Sequence, residues 1–419
     1  MTKPIETTPA MELTPQAIDN LVEELRAYHA IYSPLFQRRE QREGAAQYLH
    51  GLLLDLPRKS IEPMVLALEG AQSQAVRPLP WFIPEGAWDD EALLPRHWQE
   101  VDALRGEDDG VLTLDGSACL KQGQAAVGVK RQYGGEVGKR ANCQAGVFLG
   151  YASRTGYPLW ERRLYLPQEW VEDEAYAQRR RRCGVPAPLP FKTKPTLGGE
   201  MVQAVHVAGT LRARWVVCDE ALGRDTRLLD HIDGLGLWDF AAVPHDTQVW
   251  RHRPATAVPA WSGQGRKPTR ARVLAGAAQP DAVAAWAAAL PPDCWVRRTI
   301  TEGSKGPLVA RCAALRVIAM RAGVPGPEVW LVLRRHLVPD ELKTSLCHAP
   351  AETSLAPLVR LSGMRWPIAT CFEDGKQCLG MGDYAVRGWR GWHHHMTLCI
   401  LAHVFLVRTC LRVKKKLRD

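Results

Sequence analysis

Asp115 and Asp219 are the residues whose placement can carry chemistry. Each closes a short apolar, β-prone run: Val111-Leu112-Thr113-Leu114 before the first, Trp215-Val216-Val217-Cys218 before the second. A strand end is a rigid mount, and carboxylates held on two such mounts can share hard divalent cations. Two such ions activate a water or a 3′-hydroxyl and stabilise the leaving oxygen at a phosphodiester. Aspartates in these positions are also good turn formers that cap the element that follows, and residue type alone leaves both readings open.

Other reactive residue types offer less. The eleven cysteines are scattered, odd in number and without a CxxC, which points to reduced thiols rather than zinc knuckles or a disulfide framework. Cys371 and Cys378 have no matching pair at zinc-ligand spacing. His393-His394-His395 cannot face one ion, because consecutive residues on a helix point in different directions; the expectation is a wet or DNA-proximal face. The net charge of +9 suits a polyanionic partner, nucleic acid first. The run Arg179–Arg182 and the turn-rich loop carrying Arg266, Lys267 and Arg270 are candidate backbone contacts. Such contacts give salt-sensitive affinity without sequence information.

The elements that must position these groups follow from periodicity. From Leu13 to about Leu68 apolar residues recur at three and four, as in Ile18, Leu21, Val22 and Leu25, which predicts helices. The charged segment Gln37–Glu43 between them is either a solvated helix face or a DNA-facing one. Residues 1–100 read as a small helical, DNA-binding domain after a frayed tail. Strands are expected at 111–115, 146–151, 160–166, 214–219 and 240–244, with helices at 168–182, 198–211 and 224–234. That mixture is an α/β (α+β) sheet flanked by helices over 101–249. Residues 250–350 interrupt it, with strands at 295–301 and 329–335 around a helix at 280–290, and 351–419 turn helical after Pro367 to a basic end, Lys414-Lys415-Lys416-Leu417-Arg418. The apolar stretch Leu398–Val407 is about half of a bilayer span. With no signal pattern in the first residues, the expectation is a cytoplasmic protein with no membrane association.

Around the two aspartates the text is recognisable. Asp115-Gly-Ser-Ala-Cys-Leu-Lys121-Gln-Gly123, Val127-Gly-Val-Lys-Arg-Gln-Tyr133 and Gly138-Lys-Arg-Ala-Asn142-Cys-Gln144 closely resemble the first catalytic block of the 701 family of insertion-sequence DDE transposases. Leu164-Tyr-Leu-Pro-Gln-Glu-Trp170, Gly184-Val-Pro186 and Phe191-Lys-Thr-Lys-Pro195 continue the similarity, and Val217-Cys-Asp219-Glu-Ala-Leu-Gly223 looks like the second block. Gly303-Ser-Lys305-Gly-Pro307 and Arg365-Trp-Pro-Ile also fit, so the resemblance spans roughly residues 35–410.

The resemblance implies a ribonuclease H-like core split by a partly β insertion at 250–350. It implies DNA transposition: hydrolysis at the element's terminal inverted repeats, then strand transfer into target DNA. Both steps are in-line displacements on two Mg²⁺ ions, with Mn²⁺ as substitute, carried out by a homodimer on double-stranded DNA. Asp115 and Asp219 would be metal-binding catalytic residues. For the third carboxylate, related families carry Y-x2-R-x3-E-x6-K on a helix after the insertion. Arg365 and Lys376 fit its basic positions as phosphate contacts, but Ser362 stands in the tyrosine slot and Ala369 in the glutamate slot. An alanine cannot bind a metal. Glu373, one helical turn on and about 6 Å along the axis, is the nearest substitute. Asp383-Tyr384-Ala385-Val386-Arg387 also has alanine where relatives often carry glutamate. Lys121 is expected to reach the same DNA strand, and Trp366 to pack in the core more readily than to stack on a base. The rival reading is a transposase-derived DNA-binding protein without chemistry; a metal-dependent nuclease unconnected to mobility is more remote.

Overall fold

The computed structural model describes residues 15–69, 78–135, 138–154, 156–210, 212–303, 306–337 and 340–416. The N-terminal tail, Ser304, Lys305, Leu417 and Arg418, to which sequence expectations attach, lie outside them. Helices α1 (Pro15–Tyr32), α2 (Arg39–Leu53), α3 (Ile61–Glu69), α4 (Pro78–Phe82) and α5 (Leu93–Arg105) come first. Then follow β1 (Gly110–Leu120), β2 (Lys130–Gly134), β3 (Lys139–Ala152), β4 (Leu159–Tyr165), α6 (Gln168–Glu172), α7 (Ala177–Arg182) and α8 (Lys194–Val207). Next are β5 (Ala213–Cys218), α9 (Glu220–Gly223), α10 (Thr226–Gly234), β6 (Trp238–Ala242) and β7 (Gln248–Trp250). The chain continues through β8 (Thr256–Ala257), β9 (Arg272–Val273), β10 (Asp281–Ala282), α11 (Val283–Ala289), β11 (Val296–Gly303), β12 (Gly306–Arg321), β13 (Val324–His336) and β14 (Leu342–His348). It ends in α12 (Leu355–Ser362), α13 (Arg365–Gln377) and α14 (Trp389–Lys416).

Within one large sheet, β4, β3 and β1 are antiparallel neighbours, and β5 then β6 lie beyond β1 and parallel to it. This is the strand order of a ribonuclease H-like core, in a mixed α/β fold. The sheet does not stop at β6: β14, β13, β12 and β7 continue it by antiparallel pairing, and β11 pairs with β12. The segment 250–350 is therefore hydrogen-bonded onto the core sheet. A two-residue turn joins β12 to β13, with Ala322 at φ 50° and Gly323 at φ 81°. Positive φ at both central residues gives the twist a tight hairpin requires, and such a turn fixes strand register.

Alternation along β1 decides which helices cover which face. Val111 packs with Val217, Phe240, Val332 and, from α12, Leu358 and Leu361. On the other face a Cβ on Gly198 of α8 would meet Leu114 at 2.5 Å, so glycine is what lets α8 settle against β1. Thr113, Gly150 and Ile368 place α13 on the first face, toward which Asp115 also alternates.

Helix α14 runs through the centre of the molecule. Its stretch Trp389–Val413 is long and apolar enough to cross a bilayer, more than the short run Leu398–Val407 suggested, but 56% of it is buried. It packs against β4, α2, α5 and α13, the burial of a core helix. The histidine trio on it is not a wet face, correcting the expectation from sequence. His393, His394 and His395 are all buried. His394 bonds the Ile83 carbonyl at 2.8 Å and the Trp88 carbonyl at 3.1 Å, and His395 Nδ1 meets Tyr48 Oη at 2.7 Å. Burial pushes His393 and His395 down to about 3, so both stay neutral. His394 and His395 tie α14 to the N-terminal part of the chain, whose Tyr28 donates to the Leu401 carbonyl at 2.9 Å.

A buried ion cluster fastens β4 to the segment before α5. Arg162, fully buried, bonds Glu161 at 3.0 Å, Glu91 at 3.1 Å and also Asp90. Glu161 is fully buried as well, so its charge depends on Arg162 and Arg163. Arg162→Met should cost about 3–5 kcal/mol, the penalty of stranding a buried charge. Urea denaturation checks this, and Arg162→Met combined with Glu161→Gln should recover a large part of the loss.

Candidate active site

Parallel pairing of β1 and β5 sets Leu114 beside Cys218, so Asp115 and Asp219 follow side by side at the same level of the sheet. Asp219 also caps α9, accepting from the Leu222 N–H at 2.8 Å. The capping reading of this residue is seen directly: it follows the end of β5 at the cleft and starts the next helix. Asp115 accepts from the Gly116 N–H at 2.7 Å.

The two carboxylates open onto a cleft of about 830 Å³. Its walls include Lys194 from α8, Tyr133 from β2, and Arg365, Ala369, Glu373 and Lys376 from α13. Residues 365, 369 and 373 are four apart, so α13 presents them as one stripe along the cleft. Lys376 donates to the Ala118 carbonyl of β1 at 3.1 Å, which pins the helix across the strand that carries Asp115.

Burial first, then the charge of Asp219, pushes the Asp115 carboxyl up to about 7; Arg365, the Gly116 N–H and Lys194 pull the other way. Lys194 is lowered by burial, with Cys143, Asp219 and Asp115 opposing that shift. Two carboxylates in partial burial that repel one another are a fitting seat for a hard divalent cation, whose charge removes the repulsion. A third ligand is where the fit fails. Among the described residues no group of three His, Cys, Asp or Glu side chains is placed to hold one ion.

The sequence-derived candidates thus separate. Asp115, Asp219, Arg365, Ala369, Glu373 and Lys376 come together around one cleft. Glu373 lies exposed on its rim, within 3.4 Å of the Gln377 amide. Lys121 is not among the lining residues; its Nζ donates to the Tyr384 carbonyl at 3.2 Å and lies 3.4 Å from that ring's centroid. Trp366 is 54% exposed beside Tyr157 rather than packed in the core, a correction that leaves its face accessible next to Arg365. Arg266, Lys267 and Arg270 are exposed between β8 and β9, apart from the cleft. Lys194 was missed as a site residue. Its signal was present in Thr193-Lys194-Pro195, a capped helix start with a proline in the first turn. What the sequence did not show was that Gly198 would bring this helix end down onto the aspartates.

Asp115 within β1 and Asp219 just past the end of β5, on a ribonuclease H-like sheet and facing Arg365 and Lys376 of α13, make the arrangement of a nuclease-type core. The chain belongs to the DDE superfamily endonucleases, whose family model matches residues 32–307. That span contains Asp115, Lys194 and Asp219 and ends before α13. As a class these are metal-dependent nucleases acting on DNA. No curated protein matches the chain.

The raised Asp115 carboxyl makes stability depend on pH. Its proton is held more tightly folded than unfolded, so this group lowers stability as pH rises from about 4 towards 7. Asp115→Asn removes that penalty. In metal-free buffer its thermal midpoint should exceed that of the unaltered protein at pH 8, with the gap closing towards pH 4. Adding Mg²⁺ at pH 8 should raise the midpoint of the unaltered protein and leave that of Asp115→Asn nearly unmoved.

Proposed function

We propose that this protein is an insertion-sequence transposase of the 701 type that grips double-stranded DNA ends, with its cutting chemistry limited by Ala369. The observation that carries the reading is the position of Ala369: it lines the same cleft as Asp115, Asp219, Arg365 and Lys376. This supports the reading that 369 is the third-carboxylate slot, with Glu373 one turn further along the same cleft. Domain roles follow the same reading. Residues 1–100 would bind DNA, 101–249 and 351–419 would form the catalytic core, and 250–350 would be the insertion.

Asp115 and Asp219 would hold the divalent ion, Mg²⁺ or in its place Mn²⁺. When bound, it supplies activation of a water or 3′-hydroxyl and stabilisation of the leaving oxygen. Arg365 and Lys376 hold the phosphates on either side of the reacting bond, as basic residues on one helix face can. Lys194 would add a basic group to the cleft wall beside the aspartates. Trp366 offers an exposed indole to an unpaired base at the DNA end. Arg266, Lys267 and Arg270 contact backbone further out. Joining two terminal inverted repeats to one target requires two copies, hence a homodimer assembled on DNA in the bacterial cytoplasm.

Placement is what limits the rate. An in-line displacement loses on the order of a hundredfold for a misplacement of ~1 Å, and Glu373 is displaced by a whole helical turn. Ala369→Glu should therefore nick supercoiled plasmid in Mn²⁺ at least about a hundredfold faster than the unaltered chain. Equal rates in both, abolished by Glu373→Gln, would sink the limitation and make Glu373 the third ligand. Absence of any three-ligand group among the described residues favours a second reading, a DNA-binding protein without chemistry. Silence of both chains together with salt-sensitive DNA binding is its result.

A further inference from the structure

The pairing of β11, β12 and β13 lines up three arginines. Arg297 lies directly opposite Arg311, and Arg311 directly opposite Arg335, so one residue from each of three adjacent strands forms a single row. Residues opposite one another in a sheet share a face, and like charges in that relation repel. A row of this kind is costly for the sheet alone. Among the described residues no carboxylate pairs with Arg297 or Arg311, both of which are exposed. Arg335 has one loose acidic neighbour, Asp340 at 3.7 Å, and its guanidinium lies over the Trp295 ring at 5.1 Å. That stacking orients the innermost member of the row.

The location is informative. β13 runs parallel to β5, because β6 is parallel to β5 and two antiparallel steps separate β6 from β13. Leu331 is level with Cys218 through Leu346 and Ala241. Arg335 therefore stands four residues beyond the level of Cys218 and three beyond that of Asp219, at the same end of the sheet but on the face opposite the one Asp115 and Asp219 share. Three strand spacings and three residues put it roughly 17 Å from Asp219, with Arg311 and Arg297 each about 4.8 Å beyond. The row spans about 10 Å, close to three base-pair rises of a duplex.

We propose that Arg297, Arg311 and Arg335 form a clamp for the phosphate backbone of duplex DNA flanking the reacting end. This rests on the DNA-end reading above and adds to it a second, sequence-independent contact outside the cleft. The partner's negative charge relieves the repulsion that the register imposes. Guanidinium groups on three strands of one sheet hold a fixed spacing that a loop cannot.

The test is the salt dependence of binding to a 30-base-pair duplex of arbitrary sequence. Removing one arginine–phosphate pairing should flatten the slope of log K against log salt by about 0.9. The triple variant Arg297→Gln, Arg311→Gln, Arg335→Gln should lose two to three such units and bind at least tenfold more weakly near 0.15 M salt. A triple Arg→Lys variant should keep the slope. Because the substitutions remove repulsion, the thermal midpoint of the double variant Arg297→Gln, Arg311→Gln should hold or rise, and its slope should still fall by up to two units. If the unaltered chain binds duplex with a steep slope and the variants match it, the clamp is overturned while the DNA-end reading stands. If the unaltered chain binds no duplex at all, both fall.

Discussion

Two carboxylates that water would keep apart are held together by backbone pairing. The parallel ladder between β1 and β5 sets Leu114 against Cys218, and the next residue on each strand is acidic. Backbone hydrogen bonds do not sense side-chain charge, so the ladder imposes the repulsion and the surroundings answer it. Burial and Asp219 push the Asp115 proton affinity up, while Arg365, Lys194 and the Gly116 N–H oppose that rise. The site is polarised before any ligand arrives: two acids on the sheet, with Arg365, Lys376 and Lys194 on the helices facing them.

Helix α13 carries the other half of the site and shows what a single side chain decides. Its cleft-facing stripe has the spacing the chemistry needs, and Lys376 fixes its position against β1. Under the proposed function, residue 369 is the position on this stripe that departs from metal binding, a methyl group standing where an oxygen ligand would act.

Much of this was legible because the relevant signals are local. The apolar run before Asp219 became β5 as read, and 160–166 and 240–244 became β4 and β6 with small shifts at their ends, but β1 does not end at Asp115: pairing with β3 carries it on to Leu120. β12 was not read as a strand at all. Its sequence, GPLVARCAALRVIAMR, is rich in Ala, Leu, Arg and Met, residues that favour helices, and only pairing on both sides makes it extended. The histidine trio failed for the opposite reason. Three consecutive polar residues read as a surface, but Ile83, Trp88 and Tyr48 supply partners that only tertiary packing brings within reach, while His393 bonds the Trp389 carbonyl of its own helix. The arginine row was invisible because cross-strand register is set by a tight turn and a bulge between Ile318 and Met320, neither of which a single strand's sequence reports.

Continuity of the sheet from β4 through β6 to β12 has a mechanical consequence. A module joined by linkers can swing, whereas one sharing a hydrogen-bonded edge cannot move without breaking that edge or twisting the whole plate. The strands between 296 and 348 therefore act as an outrigger rather than a lid. Load taken up by DNA on the outer strands, as the proposed clamp would have it, would pass through β14 and β6 into β5 and arrive at the tip that carries Asp219.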